Sequence, residues 1–248
     1  MKIRERVLVT GASRGIGEAV ALALASAGYD LSLWARSGEA METVAAACAA
    51  KGAHVEIAVV DVSDASSVQI AAERATWSSD GLAGVVLNAG AGMWRPLEDE
   101  TTNAWDTTVA TNLNGAFYVL RACVEHLKKA GGGLIVGISS DSALYPFPNR
   151  AAYAAAKTGM RALLETARLE LRGAGVRISV LFPGRVDTSF KGGHSDAAPG
   201  TRPGALSADE VAGVVQYLFT MPRNVEMREV HMASLTSTFG PFSQCQES

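Results

Sequence analysis

Short apolar runs alternate with longer amphipathic ones along the chain, and that alternation predicts its elements. Val7-Leu8-Val9 reads as a buried strand ended by Thr10-Gly11. From 16 to 27 Ala and Leu recur at helical spacing, and Gly28 caps the run. The unit then repeats: a strand over 31–34, a helix over 39–50 capped by Gly52, a strand over 55–60, a helix over 65–77 and a strand over 85–87. A long helix is predicted over 105–129, bending around 112–115, then a strand over 134–138 and a loop over 140–150. A helix from 153 to 172 and a strand over 176–182 follow, and Pro183-Gly184 stops that strand. A helix over 208–220 and a strand over 228–232 close the series. Strands alternating with helices imply an α/β protein: a doubly wound parallel sheet with helices on both faces. The stretch 185–206, rich in glycine and proline (Gly192, Gly193, Pro199, Gly200, Pro203, Gly204), has no periodicity and is either disordered or a mobile substrate lid.

Composition narrows the picture in three ways. The 248 residues suit one large domain, and no linker divides 1–248. A hydrophobic share of 48%, a charged share of 19% and a net charge of -3 leave no polybasic face for nucleic acid or an anionic membrane, so small molecules are the expected partners. No apolar run approaches the ~18 residues of a membrane span, and a cytoplasmic protein is expected. Cys48, Cys123 and Cys245 lie far apart without CxxC spacing, which suggests reduced, structural thiols. His54, His126, His194 and His231 lack metal-ligand spacing, so no metal is expected.

Two stretches carry candidate chemistry. Thr10-Gly11-Ala12-Ser13-Arg14-Gly15-Ile16-Gly17 joins the first strand to the first helix, where a parallel α/β fold places a nucleotide pyrophosphate. Its GxxxGxG spacing departs from the commoner GxGxxG. Tyr153 and Lys157 stand one helical turn apart on one face. A phenol that exchanges protons near neutrality needs its anion stabilised. Lowering its pKa by about three units takes roughly 4 kcal/mol, about what one cation ~4 Å away provides at an effective dielectric of ~20. Adjacent Ser139 and Ser140 end a strand and point in opposite directions, so only one can face this site. A serine hydrolase elbow is excluded because Gly137-Ile138-Ser139-Ser140-Asp141 lacks its closing glycine.

These motifs, with Asp61-Val62, Asn88-Ala89-Gly90, Asn112 and Pro183-Gly184, resemble the short-chain dehydrogenase/reductase family in order and spacing from about Val7 to Thr188. Ser140, thirteen positions before Tyr153, is the serine selected by that resemblance. The resemblance implies a Rossmann-type fold and an oxidoreductase in which Tyr153 donates a proton to a carbonyl oxygen while reduced nicotinamide delivers hydride. Ser140 would hold that oxygen. Lys157 would bond the nicotinamide ribose and depress the phenol pKa, and Asn112, near the bend, would hold a water of a proton relay. Cofactor contacts are implied for Gly11, Ser13, Arg14, Gly15, Ile16, Gly17, Asp61, Val62, Asn88, Ala89, Gly90, Tyr153, Lys157, Pro183, Gly184, Val186 and Thr188. A first asparagine common in the family is Leu87 here, Arg185 is unusual after Pro-Gly, and the ending from 233 departs from the common Asp-Gly-Gly.

After the second strand, Ala35 stands where an acid would bind the ribose hydroxyls of the unphosphorylated cofactor. Arg36 follows it, and with Arg14 it could clamp a 2′-phosphate, so NADP(H) is expected. Trp94, Phe147 and Phe190, on three loops, suggest a hydrophobic carbonyl substrate. Acyl-carrier-linked or polyketide-type 3-oxo groups and secondary-metabolite precursors fall in that class. The resemblance also implies a homodimer or homotetramer. The competing reading is a cofactor-binding regulatory or scaffold protein that keeps the fold with little turnover.

Overall fold

The computed structural model describes residues 4–75, 77, 81–190 and 200–237. Its strands are β1 (Arg6–Thr10), β2 (Asp30–Ala35), β3 (Val55–Val59), β4 (Gly84–Leu87), β5 (Gly133–Ile138), β6 (Val176–Pro183), β7 (Val186–Asp187), β8 (Leu206–Ser207) and β9 (Glu229–Met232). The helices are α1 (Gly15–Ser26), α2 (Gly38–Ala49), α3 (Ala65–Arg74), α4 (Thr102–Val109), α5 (Gly115–Lys129), α6 (Ala151–Leu171) and α7 (Ala208–Thr220). Seven strands form one sheet in the order β3-β2-β1-β4-β5-β6-β9, every neighbouring pair parallel.

The two-residue period of the strands sorts the core into layers. Val7 and Val9 of β1 face a cluster with Leu24 of α1, Met41 of α2 and Val215 of α7. Leu8, between them, faces the opposite cluster, with Val68 of α3, Val119 of α5 and Leu164 of α6. Central strands buried on both sides carry apolar residues at consecutive positions, as β1 and β4 do. The chain runs outward from β1 to β3 and then returns to β4 on the other side of β1. That reversal opens a crevice at the carboxyl ends of β1 and β4.

Three departures from the predicted elements have local causes. The helix expected over 65–77 ends at Arg74, where Ala75 turns extended. Trp77 instead enters the core, stacking on Trp34 with centroids 6.1 Å apart and meeting His126 edge-on at 4.5 Å. The long helix begins earlier than expected because Thr101 Oγ1 accepts the Ala104 N–H at 3.2 Å as a cap. Its expected bend is a π-helical turn over Ala110–Asn114, one residue too many for the α pitch. The stretch over 185–206 is not wholly irregular: β7 pairs with β8 in parallel, Val186 opposite Leu206. The proposed lid's Gly192, Gly193 and Pro199, together with His194 and Cys245, lie outside the described residues.

Glycine placement yields a paired test. A Cβ on Gly17 would sit 2.2 Å from Gly11 O and 2.6 Å from Asn88 Nδ2, whereas one on Gly213 of α7 would meet nothing within 4 Å. Gly17→Ala should therefore lower the unfolding free energy by about 1–3 kcal/mol through overpacking. Gly213→Ala should raise it by about 0.5–1 kcal/mol through helix propensity. Urea unfolding of both variants checks the contrast, and a neutral Gly17→Ala would refute the close approach.

Candidate active site

The crevice is built on a knot of hydrogen bonds where β1 and β4 end. Thr10 Oγ1 donates to Val86 O at 3.2 Å and accepts from the N–H groups of Asn88 and Ala89 at 3.0 and 3.1 Å. Asn88 Nδ2 donates to Thr10 O and Gly11 O at 3.0 and 3.2 Å. Gly11 and Gly15 take φ values of +64° and +59°, the left-handed region that glycine enters freely. The turn between them leads directly into α1, whose first N–H groups lack helical partners and so suit a phosphate.

A cavity of about 850 Å³ fills the crevice, at the upper end of the range for small-molecule and cofactor sites. Gly11, Ser13, Arg14, Gly15 and Ile16 line it from the turn, and Asn88, Ala89 and Gly90 from β4. Gly17 lies behind the surface, where its missing side chain lets α1 approach Gly11. Arg36 with Ser37, and Asp61 with Val62, border one end. Hydrogen bonds from the Ser63 hydroxyl at 2.6 Å and the Ser63 N–H at 2.9 Å hold Asp61 below its ordinary carboxylate range. Pro183, Gly184, Val186 and Thr188 close the side opposite. Thr188 stands over Gly15, where a Cβ would meet its own Cβ at 3.3 Å.

At the other end α6 brings up Tyr153 and Lys157, both buried. Lys157 Nζ donates to Ile138 O at 2.8 Å and lies 5.7 Å from the Tyr153 ring centroid. Burial pushes the Tyr153 phenol up to about 12, with the Ser140 hydrogen bond acting against it. Burial also pulls Lys157 down to about 8. In the protein alone desolvation outweighs the opposing Ser140 bond and Arg150 charge, while Lys157 is held against a backbone carbonyl, so the phenol stays neutral. Ser139 Oγ turns back to Lys157 O at 3.4 Å, while Ser140 faces Tyr153. Asn112 occupies the π turn behind the cavity lining, its Nδ2 donating to Ala91 O and Thr108 O at 2.6 and 2.8 Å. Its Oδ1 is buried without a partner. A Cβ on Gly90 would be 2.9 Å from that oxygen and 3.6 Å from Lys157 Nζ, so both polar atoms border the space glycine leaves open.

Trp94 meets Tyr153 edge-on at 4.9 Å, and Phe190 lies 6.0 Å from the same ring. Phe147 does not line the cavity; it packs 4.7 Å from the Arg150 guanidinium, which also covers Trp94 at 4.6 Å. Sequence reasoning gave no site role to four charged lining residues, Asp141, Arg150, Arg185 and Arg202. Asp141 directly follows Ser140, and Arg150 precedes Tyr153 by three positions at the helix start, so both were discoverable. Arg202 carried no such signal.

A nucleotide-sized cavity at the strand reversal, a glycine turn at its floor and a buried Ser-Tyr-Lys group at its head define the class: an oxidoreductase that uses a nicotinamide cofactor on CH–OH or C=O groups. Residues 5–198 match the short chain dehydrogenase family, and the chain belongs to it. Glycine betaine reductase ATRR of Emericella nidulans is 33% identical over 90% of this chain, which spans only 18% of that protein. D-threitol dehydrogenase of Mycolicibacterium smegmatis is 34% identical over 85% of this chain and 84% of its own. The solved alcohol dehydrogenase from the archaeon Thermococcus sibiricus, complexed with 5-hydroxy-NADP, superimposes with a TM-score of 0.88 at 35% identity, over 94% of this chain and 97% of that one. Other solved structures of similar fold hold NAD.

The buried ammonium gives a titration test. Lys157 should lose its proton near pH 8 rather than at the ordinary 10.5, read by NMR of its side-chain carbons against a Lys157→Met reference. Because burial disfavours the charged form, Lys157 should add stability as pH rises between those two values. An ordinary titration would show that the ammonium is solvated.

Proposed function

We propose that the protein is an NADPH-dependent reductase that converts a hydrophobic ketone or aldehyde into an alcohol. The observation that carries this reading is the convergence of Ser140, Tyr153 and Lys157 at one end of the cavity whose other end presents Arg14 and Arg36. The cofactor fits the residues present. The left-handed Gly11 and Gly15 bring backbone N–H groups against a pyrophosphate, and buried Ala35 leaves no acid to repel a 2′-phosphate beside the two guanidinium groups.

When bound, reduced nicotinamide supplies a hydride to the carbonyl carbon. Tyr153 gives its phenolic proton to the carbonyl oxygen as the C=O π pair moves onto it, so one hydride and one proton yield the alcohol. Ser140 holds the oxygen. Lys157 would bond the ribose hydroxyls of a bound cofactor, and its ammonium would stabilise the phenolate left behind. A water between Asn112 Oδ1 and Lys157 Nζ satisfies the orphan oxygen and returns a proton to the site. Trp94 and Phe190 supply an apolar wall beside Tyr153.

Two measurements test the reading. Tyr153→Phe should lower NADPH oxidation with a responsive ketone by about 10²–10⁴-fold, the range for a lost general acid; unchanged turnover would refute the assignment. Arg14→Ala combined with Arg36→Ala should raise the Kd for NADPH about 100-fold, from lost charge-assisted hydrogen bonds, and that for NADH about threefold or less. Equal losses for both cofactors would sink the NADPH preference.

A further inference from the structure

A buried carboxylate touches the proposed oxygen-holding serine, and the reductase reading gives it no role. Asp141 opens a short 3-10 turn, Asp141–Ala143, directly after Ser140 at the end of β5, and it is 4% exposed. Its Oδ1 accepts from Ser140 Oγ at 2.9 Å and from Ser142 Oγ at 3.4 Å. Arg150, ahead of α6, stands with Nη1 4.0 Å from that oxygen and donates to Ser142 Oγ at 3.0 Å. Beyond the end of β6, Gly184 presents backbone alone, a Cβ there being 3.8 Å from Oδ2. Among ionisable groups Arg150 acts on both Asp141 and Tyr153, and Asp141 itself acts on Tyr153 of α6.

A serine hydroxyl has a single proton to give. With Tyr153 a neutral phenol, Ser140 gives it to Asp141 Oδ1 at 2.9 Å, while Ser140 Oγ accepts the Ser142 N–H at 3.1 Å. An ionised carboxylate only accepts. Ser140 can then donate to a carbonyl oxygen only by leaving a charge-assisted hydrogen bond. A protonated Asp141 reverses the bond: its O–H donates to Ser140 Oγ, and the serine proton turns toward the oxygen beside Tyr153.

We propose that Asp141 is a positioning residue that sets the direction of the Ser140 hydrogen bond, releasing the serine proton to the substrate carbonyl when protonated and retaining it when ionised. The inference rests on the reductase reading and adds no proton to its balance, since the transferred proton still comes from Tyr153. Burial raises the Asp141 pKa, with its bonds from Ser140 and Ser142 and the charge of Arg150 opposing. The protonated form therefore persists to higher pH than for a solvated aspartate.

The test is the pH profile of kcat/KM for reduction, with acetophenone, cyclohexanone and ethyl 3-oxobutanoate as probe carbonyls. In the wild type, kcat/KM should step down about tenfold, the effect of one hydrogen bond, as pH rises through the Asp141 ionisation. Asp141→Asn, of the same shape and without a titrating proton, should remove the step. Ser140→Ala should remove it as well while lowering the rate at every pH, and this second variant keeps the test decisive if the first does not fold. A merely structural Asp141 would lower stability or rate uniformly and leave the step in place. Turnover that survives Tyr153→Phe overturns the reductase reading itself. Turnover lost in Tyr153→Phe, with the step unchanged in Asp141→Asn or absent from the wild type, overturns the Asp141 assignment alone.

Discussion

The site depends on one close approach, the packing of α1 against the end of β1 at Gly17. With a Cβ position only 2.2 Å from Gly11 O, any side chain there would push the helix off the turn. That contact allows Asn88 to bond Thr10 O and Gly11 O, and Thr10 Oγ1 to hold the backbone of Asn88 and Ala89. Helix start, glycine turn and β4 are thereby locked at one point. The remainder of the cavity, from Arg36 at one end to Tyr153 at the other, is arranged around it.

Desolvation governs the opposite end. It favours the neutral phenol of Tyr153, the form that can give a proton, and disfavours the ammonium of Lys157. In the proposed reaction Lys157 would gain the ribose hydroxyls of a bound cofactor beside Ile138 O, and the neutral Tyr153 phenol would donate to the carbonyl oxygen. The cost of burying the ammonium is offset when the complex assembles, which links chemistry to correct binding. Asp141 extends the same logic, since burial favours its neutral form and the neutral form alone can donate to Ser140.

Much of this was legible in the amino-acid sequence because it is written in local patterns. The alternation of apolar strands and amphipathic helices predicts the parallel sheet, and the helical period puts Tyr153 and Lys157 on one face. The bend near Asn112 emerges as a π turn. What escaped depends on contacts distant along the chain. Trp77 leaves its helix to reach Trp34, and β7 finds β8 across a segment with no pattern. Phe147, expected to face substrate, lies against Arg150, because a loop's sequence does not say which way its rings turn. The raised phenol pKa of the protein alone was not legible for a related reason: adjacency on a helix gives the distance to a charge, but burial is a property of the whole fold.

The indole of Trp94 has an optical consequence. It stands edge-on to Tyr153, and both it and Trp34 border the cavity. The chain has only four tryptophans, so two of them form part of the cavity wall. Trp34 is fully buried and Trp94 partly exposed, so a ligand that fills the cavity displaces water from the Trp94 ring and changes the polarity around its excited state. The protein thus carries its own fluorescent gauge of occupancy, readable without a label.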